Sequence, residues 1–248
     1  MDQWWHSPSG PSSTAIELAL GALLVVQVVA LLAAALRTPL GWDGLFNFEM
    51  KARLAFEHAP AGQLPSGYFT DGSRTWSHPH YPLLVPFTEF WLYSWIGRID
   101  QSAVKIVFPM FFLSLIGIVA GAVRRFSDRR AGVISAIALG MLPPLTLIPG
   151  AASGYADVPL AAAIAGAGLF ALIGLSAGSR EVTLLGGVLS AAAVWTKAEG
   201  LVLAVVVGSA AGLVTRRRPA VLLGIPVVAA LPWLVFLQMS GRTAGGDF

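Results

Sequence analysis

The chain has 248 residues, of which 56% are hydrophobic and only 12% are charged, about half the charged fraction of an ordinary soluble domain. So few charges cannot coat a soluble core, and the apolar residues lie in long runs of the kind that cross a bilayer. Cysteine is absent, which excludes a disulfide framework and a thiolate metal site. The net charge of +3 comes from short basic clusters between apolar runs, which suit membrane loops and argue against a nucleic-acid partner.

Seven apolar runs predict seven membrane-spanning helices. The first run, about 14–36, follows a segment without Lys or Arg and is too long for a cleaved signal, so we interpret it as a retained span. The other six are about 102–123, 131–147, 158–175, 182–195, 201–214 and 219–239. We therefore predict an all-α polytopic bundle, a single transmembrane domain over residues 1–248, with a first extracytoplasmic loop at about 39–100.

Basic residues predict the orientation of these spans. Arg124 to Arg130, Arg180, and Arg216 to Arg218 lie in three loops that are separated from one another by two runs each. The positive-inside rule places all three loops, and with them the N-terminus, on the cytoplasmic side. The turns near 151–157 and 196–200 then face the opposite side.

The segment 81–97 decides where the long polar loop lies. If this segment spans the membrane, the loop is cytoplasmic; if it lies in the interface, the loop is outside. Its length is at the lower limit for a span, and its aromatic residues and Glu89 favour an interfacial helix. We favour the interfacial interpretation, with an extracytoplasmic loop that contains amphipathic helices.

Charged and aromatic residues alternate after the first span. Trp42-Asp43 precedes Glu49, Lys51 and Arg53 in a stretch with few helix breakers. The plainest interpretation is an amphipathic surface helix with Asp43 at an N-cap-like position. A carboxylate at the membrane exit is also a candidate general base or metal ligand.

Two histidines and two prolines form the next polar feature, His78-Pro79-His80-Tyr81-Pro82. The prolines predict an extended turn. The histidines could bind a metal, but no acidic or cysteine ligand lies beside them, and we favour a loop that binds a polar ligand.

Two further features interrupt the later apolar runs. Tyr155 and Asp157 precede a helix with Pro159 in its first turn, which fits a simple N-cap as well as a functional role. Lys197 and Glu199 lie at the membrane boundary, where ionisable groups are costly and are functional candidates by default. A lysine at headgroup depth can neutralise a lipid phosphate.

These elements, in this order, resemble the GT-C membrane glycosyltransferases, in the branch of protein O-mannosyltransferases and the lipid A aminoarabinose transferase. The resemblance rests on Trp42-Asp43, the His78 to Leu84 segment, the Tyr155 to Pro159 segment and the Thr196 to Gly200 turn, and covers about residues 40–200. Lys51-Ala52 is similar to a pair in uncharacterised bacterial members.

The resemblance implies a bacterial plasma-membrane enzyme for cell-envelope glycans. It would transfer a sugar from a polyprenyl phosphate, with inversion, to a hydroxyl of a glycan, lipid or protein on the outer face. Asp43 and Asp157 would be catalytic, and Lys197, Arg53 and Arg74 would bind the donor phosphate. A divalent cation is a candidate cofactor, with Asp43 as its candidate ligand. The expected substrate-binding residues are Trp42, Glu49, Lys51, His78, His80, Tyr81, Tyr155 and Glu199.

The sequence also departs from the family pattern. Asp43 is followed by Gly44 where the O-mannosyltransferases have a paired Asp-Glu. Family members are usually longer, so we expect the chain to be incomplete relative to them. Two alternatives remain open: a transporter or flippase of lipid-linked saccharides, and an inactive membrane fragment.

Overall fold

The structure is a computed structural model and describes residues 14–58, 67–217 and 219–241, in which every regular element is helical. The helices are α1 (Thr14–Arg37), α2 (Met50–Glu57), α3 (Leu84–Ile96), α4 (Gln101–Val104), α5 (Val107–Phe126), α6 (Arg129–Gly140), α7 (Pro143–Thr146), α8 (Asp157–Ala177), α9 (Arg180–Thr196), α10 (Gly200–Thr215) and α11 (Ala220–Met239). A π-helix, Gly44–Glu49, leads into α2, and a 3-10 helix spans Gly72–Ser77. The predicted all-α class is confirmed.

Within the described residues, four helical segments are long and apolar enough to cross a membrane: Ala15–Arg37, Gln101–Phe126, Asp157–Ala177 and Ala220–Met239. The other three predicted spans form shorter helices, since α6, α9 and α10 have 12, 17 and 16 residues. The predicted run 131–147 is divided after Gly140 because Pro143 and Pro144 follow, and proline cannot continue a helix without losing a backbone hydrogen bond. These apolar helices make the chain an integral membrane protein.

The segment 81–97 forms α3, which has 13 residues. At 1.5 Å per residue this helix is roughly 20 Å long, well short of a hydrocarbon core of about 30 Å. Its tryptophans Trp91 and Trp95 are exposed, as an interfacial helix requires. Glu89 is different: we predicted it at the interface, but it is fully buried because α3 packs its face against α2 and the π-helix.

Small residues let the long helices approach closely, as they do in other membrane bundles. Helix α8 lies at the centre and packs against α5, α9 and α10, while α9 also packs against α11 and α1 packs against α6. At the α8–α9 contact, a Cβ on Gly174 would lie 2.5 Å from the backbone nitrogen of Thr183. This contact has no room for a side chain.

The bundle has two chemically different ends. Arg129 lies 3.4 Å from Glu17, so the start of α6 meets the start of α1. At the other end of α1, the Thr38 hydroxyl donates to the carbonyl of Ala152 at 3.0 Å. Following the helices from these two points places the basic loops at the first end and the polar turns at the second, in agreement with the predicted alternation.

Candidate functional site

An ion pair joins two turns at the polar end of the bundle. Asp157 is the first residue of α8 and Lys197 directly follows α9. The Lys197 Nζ donates to Asp157 Oδ1 at 3.0 Å and lies 3.9 Å from Glu199 Oε1. Burial lowers the pKa of Lys197, but the hydrogen bond to Asp157 and the charges of Asp157 and Glu199 outweigh it and raise that pKa overall. Lys197 is therefore held as a cation.

The first loop is fastened against the turn that precedes α8. The Gly41 amide donates to the carbonyl of Ser153 at 2.7 Å. A Cβ on Gly44 would lie 2.7 Å from that same oxygen, and a Cβ on Gly41 would collide with the ring of Tyr155. The glycines on both sides of Trp42-Asp43 thus allow the close contact that places Asp43 near the start of α8.

Asp43 occupies the N-cap position of the π-helix, as predicted, but its side chain does not cap the helix. Its backbone is already helical, with φ −63° and ψ −41°, and its side chain makes no capping bond. Its Oδ1 instead accepts a hydrogen bond from Nδ2 of Asn47 at 3.1 Å. The N-cap interpretation of Asp157 is wrong, because α8 begins at Asp157 itself and the cap position is Ala156.

Asn47 contacts the site but was not among the residues predicted from the sequence. It is 1% exposed, and its own Oδ1 has no hydrogen-bond partner in the described part of the chain. Its position four residues after Asp43 was the available signal, since residues with that spacing meet on one helix face. It supports the Asp43 carboxylate from within the protein.

Residues 78–82, which we name the strap, hold Tyr81 in place. The ring of Tyr81 stacks on His78 at 4.8 Å between centroids and meets His80 edge-on at 5.0 Å. Phe48 supports the same ring from the π-helix at 6.3 Å. His78 has φ +43°, an uncommon conformation for a residue other than glycine. The strap is thus a packed element in which the predicted histidines and tyrosine do lie together.

The charges of four side chains affect the pKa of the Tyr81 phenol. Burial raises its pKa, the charge of Lys197 lowers it, and the charges of Glu199, Asp43 and Asp157 raise it, with an overall increase. These five residues come from four separate stretches of sequence. We name them the polar cluster: Asp43, Tyr81, Asp157, Lys197 and Glu199.

Glu49 makes its contacts elsewhere. It is buried, and its Oε1 accepts from the hydroxyl of Tyr93 at 2.7 Å. The pKa of the neighbouring Glu89 is raised well above its ordinary value, first by burial and then by the charge of Glu49. Glu49 therefore belongs to a buried acid pair between the π-helix and α3.

The two predicted phosphate-binding arginines pair with neighbours in sequence. Arg53 Nε lies 2.8 Å from Glu57 on the exposed side of α2. Arg74 Nε lies 3.2 Å from Asp71, and its guanidinium is 5.1 Å from the ring centre of Tyr68. Trp42 is exposed and packs on Phe46 at 4.5 Å. Of the three predicted phosphate ligands, Lys197 is thus the one whose described contacts lie in the polar cluster.

An apolar cavity of about 570 Å³ lies beside the strap. Its volume falls within the usual range of small-molecule pockets. Trp195 and Trp233 line it, and the Trp233 indole donates to the carbonyl of His80 at 3.2 Å. Lys51 is its charged lining residue. No group of three or more His, Asp or Glu that could hold a metal occurs within residues 14–58, 67–217 and 219–241.

A solved structure shares this fold. ArnT from Cupriavidus metallidurans, bound to undecaprenyl phosphate, matches with a TM-score of 0.57 at 20% sequence identity. The match covers 92% of this chain and 42% of ArnT, so the chain spans less than half of that protein's length. Neither a protein-family model nor a curated protein matches the sequence. The chain therefore has a GT-C-like membrane fold.

Proposed function

We propose that the chain carries the site of a glycosyltransferase that takes its sugar from a polyprenyl phosphate. The observation that carries this proposal is the Lys197–Asp157 pair beside Asp43 and Tyr81. A lysine held as a cation next to a separate carboxylate suits a reaction in which a phosphate leaves and a hydroxyl loses a proton. The undecaprenyl phosphate bound to ArnT, which has the same fold, supports a donor of this class.

The reaction would proceed by one displacement. The acceptor hydroxyl oxygen attacks the anomeric carbon and forms the new glycosidic bond, while the bond from that carbon to the phosphate oxygen breaks. The hydroxyl proton passes to the carboxylate of Asp43, and the electron pair of the broken bond stays on the polyprenyl phosphate. Attack opposite the leaving group inverts the anomeric centre.

The other residues at this end of the bundle hold the leaving phosphate or surround the sugar. Lys197 stabilises the charge that develops on the leaving phosphate, which is commonly a large term in catalysis. Asp157 orients Lys197 through the 3.0 Å hydrogen bond. His78, His80 and Tyr81 line the sugar site, and Tyr155, Trp42 and Glu199 border it.

We infer that this end of the bundle faces the extracytoplasmic side. The opposite end carries the arginine clusters, which the positive-inside rule assigns to the cytoplasm together with the N-terminus. Reporter tags at Asp71 and Lys197 should respond as extracytoplasmic, and a tag at Arg124 as cytoplasmic. A cytoplasmic Asp71 would contradict this orientation.

Sugar transfer by the full chain in liposomes tests the proposed activity. We expect a labelled polyprenyl-phosphate sugar to lose its sugar to a hydroxyl acceptor. Asp43→Asn and Lys197→Ala should each lower the rate by about 100-fold or more. Arg98→Met is the matched charge control, since Arg98 is exposed and pairs with Asp100 at 2.9 Å after α3.

Two outcomes would overturn the proposal. Wild-type turnover in both variants would remove Asp43 and Lys197 from the reaction. Movement of the labelled lipid between leaflets without cleavage of its sugar would favour a flippase instead.

A further inference from the structure

Lys51 is a buried lysine with no counter-ion in the part of the chain that the structure describes. Its side chain is 1% exposed, and its Nζ donates to the neutral carbonyl of His78 at 2.9 Å. No carboxylate lies within ion-pair distance of Lys51 in the described ranges. Buried lysines are almost always paired, so Lys51 requires an explanation.

The position of Lys51 indicates what its partner is. Lys51 lies at the wall of the 570 Å³ cavity, whose other walls are made by the turn at 67–70, α3 and α11. The lining side chains are largely aromatic and aliphatic, among them Phe87, Phe90 and Phe236. One buried cation at the edge of such a space complements a molecule with a long apolar part and one negative group.

Burial without a charged partner also affects the protonation of Lys51. It lowers the pKa of Lys51 to about 7, because the ammonium is removed from water. An anion that enters the cavity would stabilise the charged form of Lys51 by direct electrostatic attraction.

We propose that this cavity is a binding site for an anionic amphiphile, with Lys51 as the ligand of its headgroup and the aromatic walls around its hydrocarbon chain. The proposed headgroup ligand, Lys51, contacts the carbonyl of His78, whereas Lys197, the proposed ligand of the donor phosphate, contacts Asp157. An acyl lipid has this chemistry, and it would act as the acceptor of the proposed transfer, whereas the single negative group of the donor is the phosphate assigned to Lys197.

Tryptophan quenching tests the site with the full chain in nonionic micelles. The probe is a stearate that carries a nitroxide near its methyl end, and its uncharged methyl ester is the comparison. Trp195 and Trp233 line the cavity, so a chain that enters should quench them. Because the sequence has eight tryptophans, the Trp195→Phe/Trp233→Phe variant defines the signal that belongs to the cavity.

Lys51→Met should raise the Kd of the stearate by about tenfold or more, and change that of the ester by less than about twofold. Lys51→Arg, which keeps the charge, should remain within about threefold of wild type. Arg98→Met is the charge control at an exposed position. Lys51→Met is expected to fold, because apolar replacement of a buried charge is often neutral or stabilising.

If Lys51→Met weakened the binding of the stearate and of the ester equally, Lys51 would only shape the cavity, and the proposal would be overturned. Unchanged binding of both probes would overturn it as well. Displacement of the stearate by oleate supports the site, whereas displacement by undecaprenyl phosphate and not by oleate would overturn the assignment to an acyl lipid. The measurement uses no sugar, so its failure is distinguishable from failure of the proposed transfer.

Discussion

Lys51 and Lys197 both interact with the strap, Lys51 by a hydrogen bond to His78 and Lys197 through its charge on Tyr81. Their surroundings act on a positive charge in opposite ways. Lys197 is 16% exposed and bonded to Asp157, and its neighbours raise its pKa. Lys51 is almost fully buried against a neutral carbonyl, and burial lowers its pKa to about 7. Asp157 and Glu199 compensate the charge of Lys197, whereas no carboxylate among the described residues compensates that of Lys51.

This difference separates two kinds of electrostatic site. A cation already oriented by a carboxylate can stabilise charge that develops during a reaction, because little reorganisation is needed. A cation without a partner gains most when an anion binds, so it contributes to affinity. We therefore expect the polar cluster to control the rate and the cavity to control binding.

The largest expected effect is on the turnover number at Lys197. Lys197→Met should lower kcat about 100- to 1000-fold, because the leaving phosphate loses its cation. The same replacement at Lys51 should act mainly by raising KM for an amphiphilic substrate. Steady-state transfer in liposomes separates the two, and equal losses of kcat in both variants would remove the proposed distinction.

Loss of the loop contact should have the next largest effect, on stability. Gly44→Ala places a methyl group about 2.7 Å from the Ser153 carbonyl oxygen, and overpacking of this kind costs about 1–3 kcal/mol. We expect a lower thermal unfolding midpoint in detergent. Gly117→Ala is the control, since a Cβ there meets nothing within 4 Å, and an equal decrease in both variants would contradict the docking argument.

The pH dependence of anion binding at Lys51 should be smaller. The ammonium attracts an anion and the neutral amine does not, so affinity should fall as pH rises through the lysine pKa of about 7. Decane sulfonate, which does not titrate, should displace the nitroxide ester about tenfold less well at pH 8.5 than at pH 6.5.

Other titrating groups can be separated from Lys51 in that measurement. The elements packed around it carry Tyr68, His78, Glu49 and Glu89. All four remain in Lys51→Arg, whose guanidinium stays charged over this range. Displacement that stays pH-dependent in Lys51→Arg would assign the effect to one of those groups.

The smallest expected effect is at the edge of the polar cluster. Glu199 lies 3.9 Å from Lys197 and is 57% exposed, and exposed ion pairs contribute little. Glu199→Gln should change kcat by less than about threefold, whereas Asp157→Asn should lower it by about tenfold or more. A larger effect at Glu199 would show that it contacts substrate.

Some features of the site followed from local sequence and others did not. Lys197 and Asp157 were each candidates because charged residues at membrane boundaries are costly, but their 3.0 Å contact joins positions 40 residues apart. Lys51 and Arg53 are close in sequence and were given related roles, yet one is buried and the other pairs with Glu57 in solvent. Helical periodicity predicts that two such residues diverge, but not which of them faces a neighbouring element.

The sequence by itself determined the membrane class, the helical runs and the separation of basic loops from polar turns, because these depend on composition and on distances along the chain. Only the tertiary structure decided which lysine is paired with a carboxylate and which is buried beside an apolar cavity. It also showed that Glu89 is buried and not at the interface. The physical reason is that burial and charge compensation depend on residues distant in sequence. The contacts of α3 and α11 with the first loop, and of Gly44 with Ser153, supply those residues.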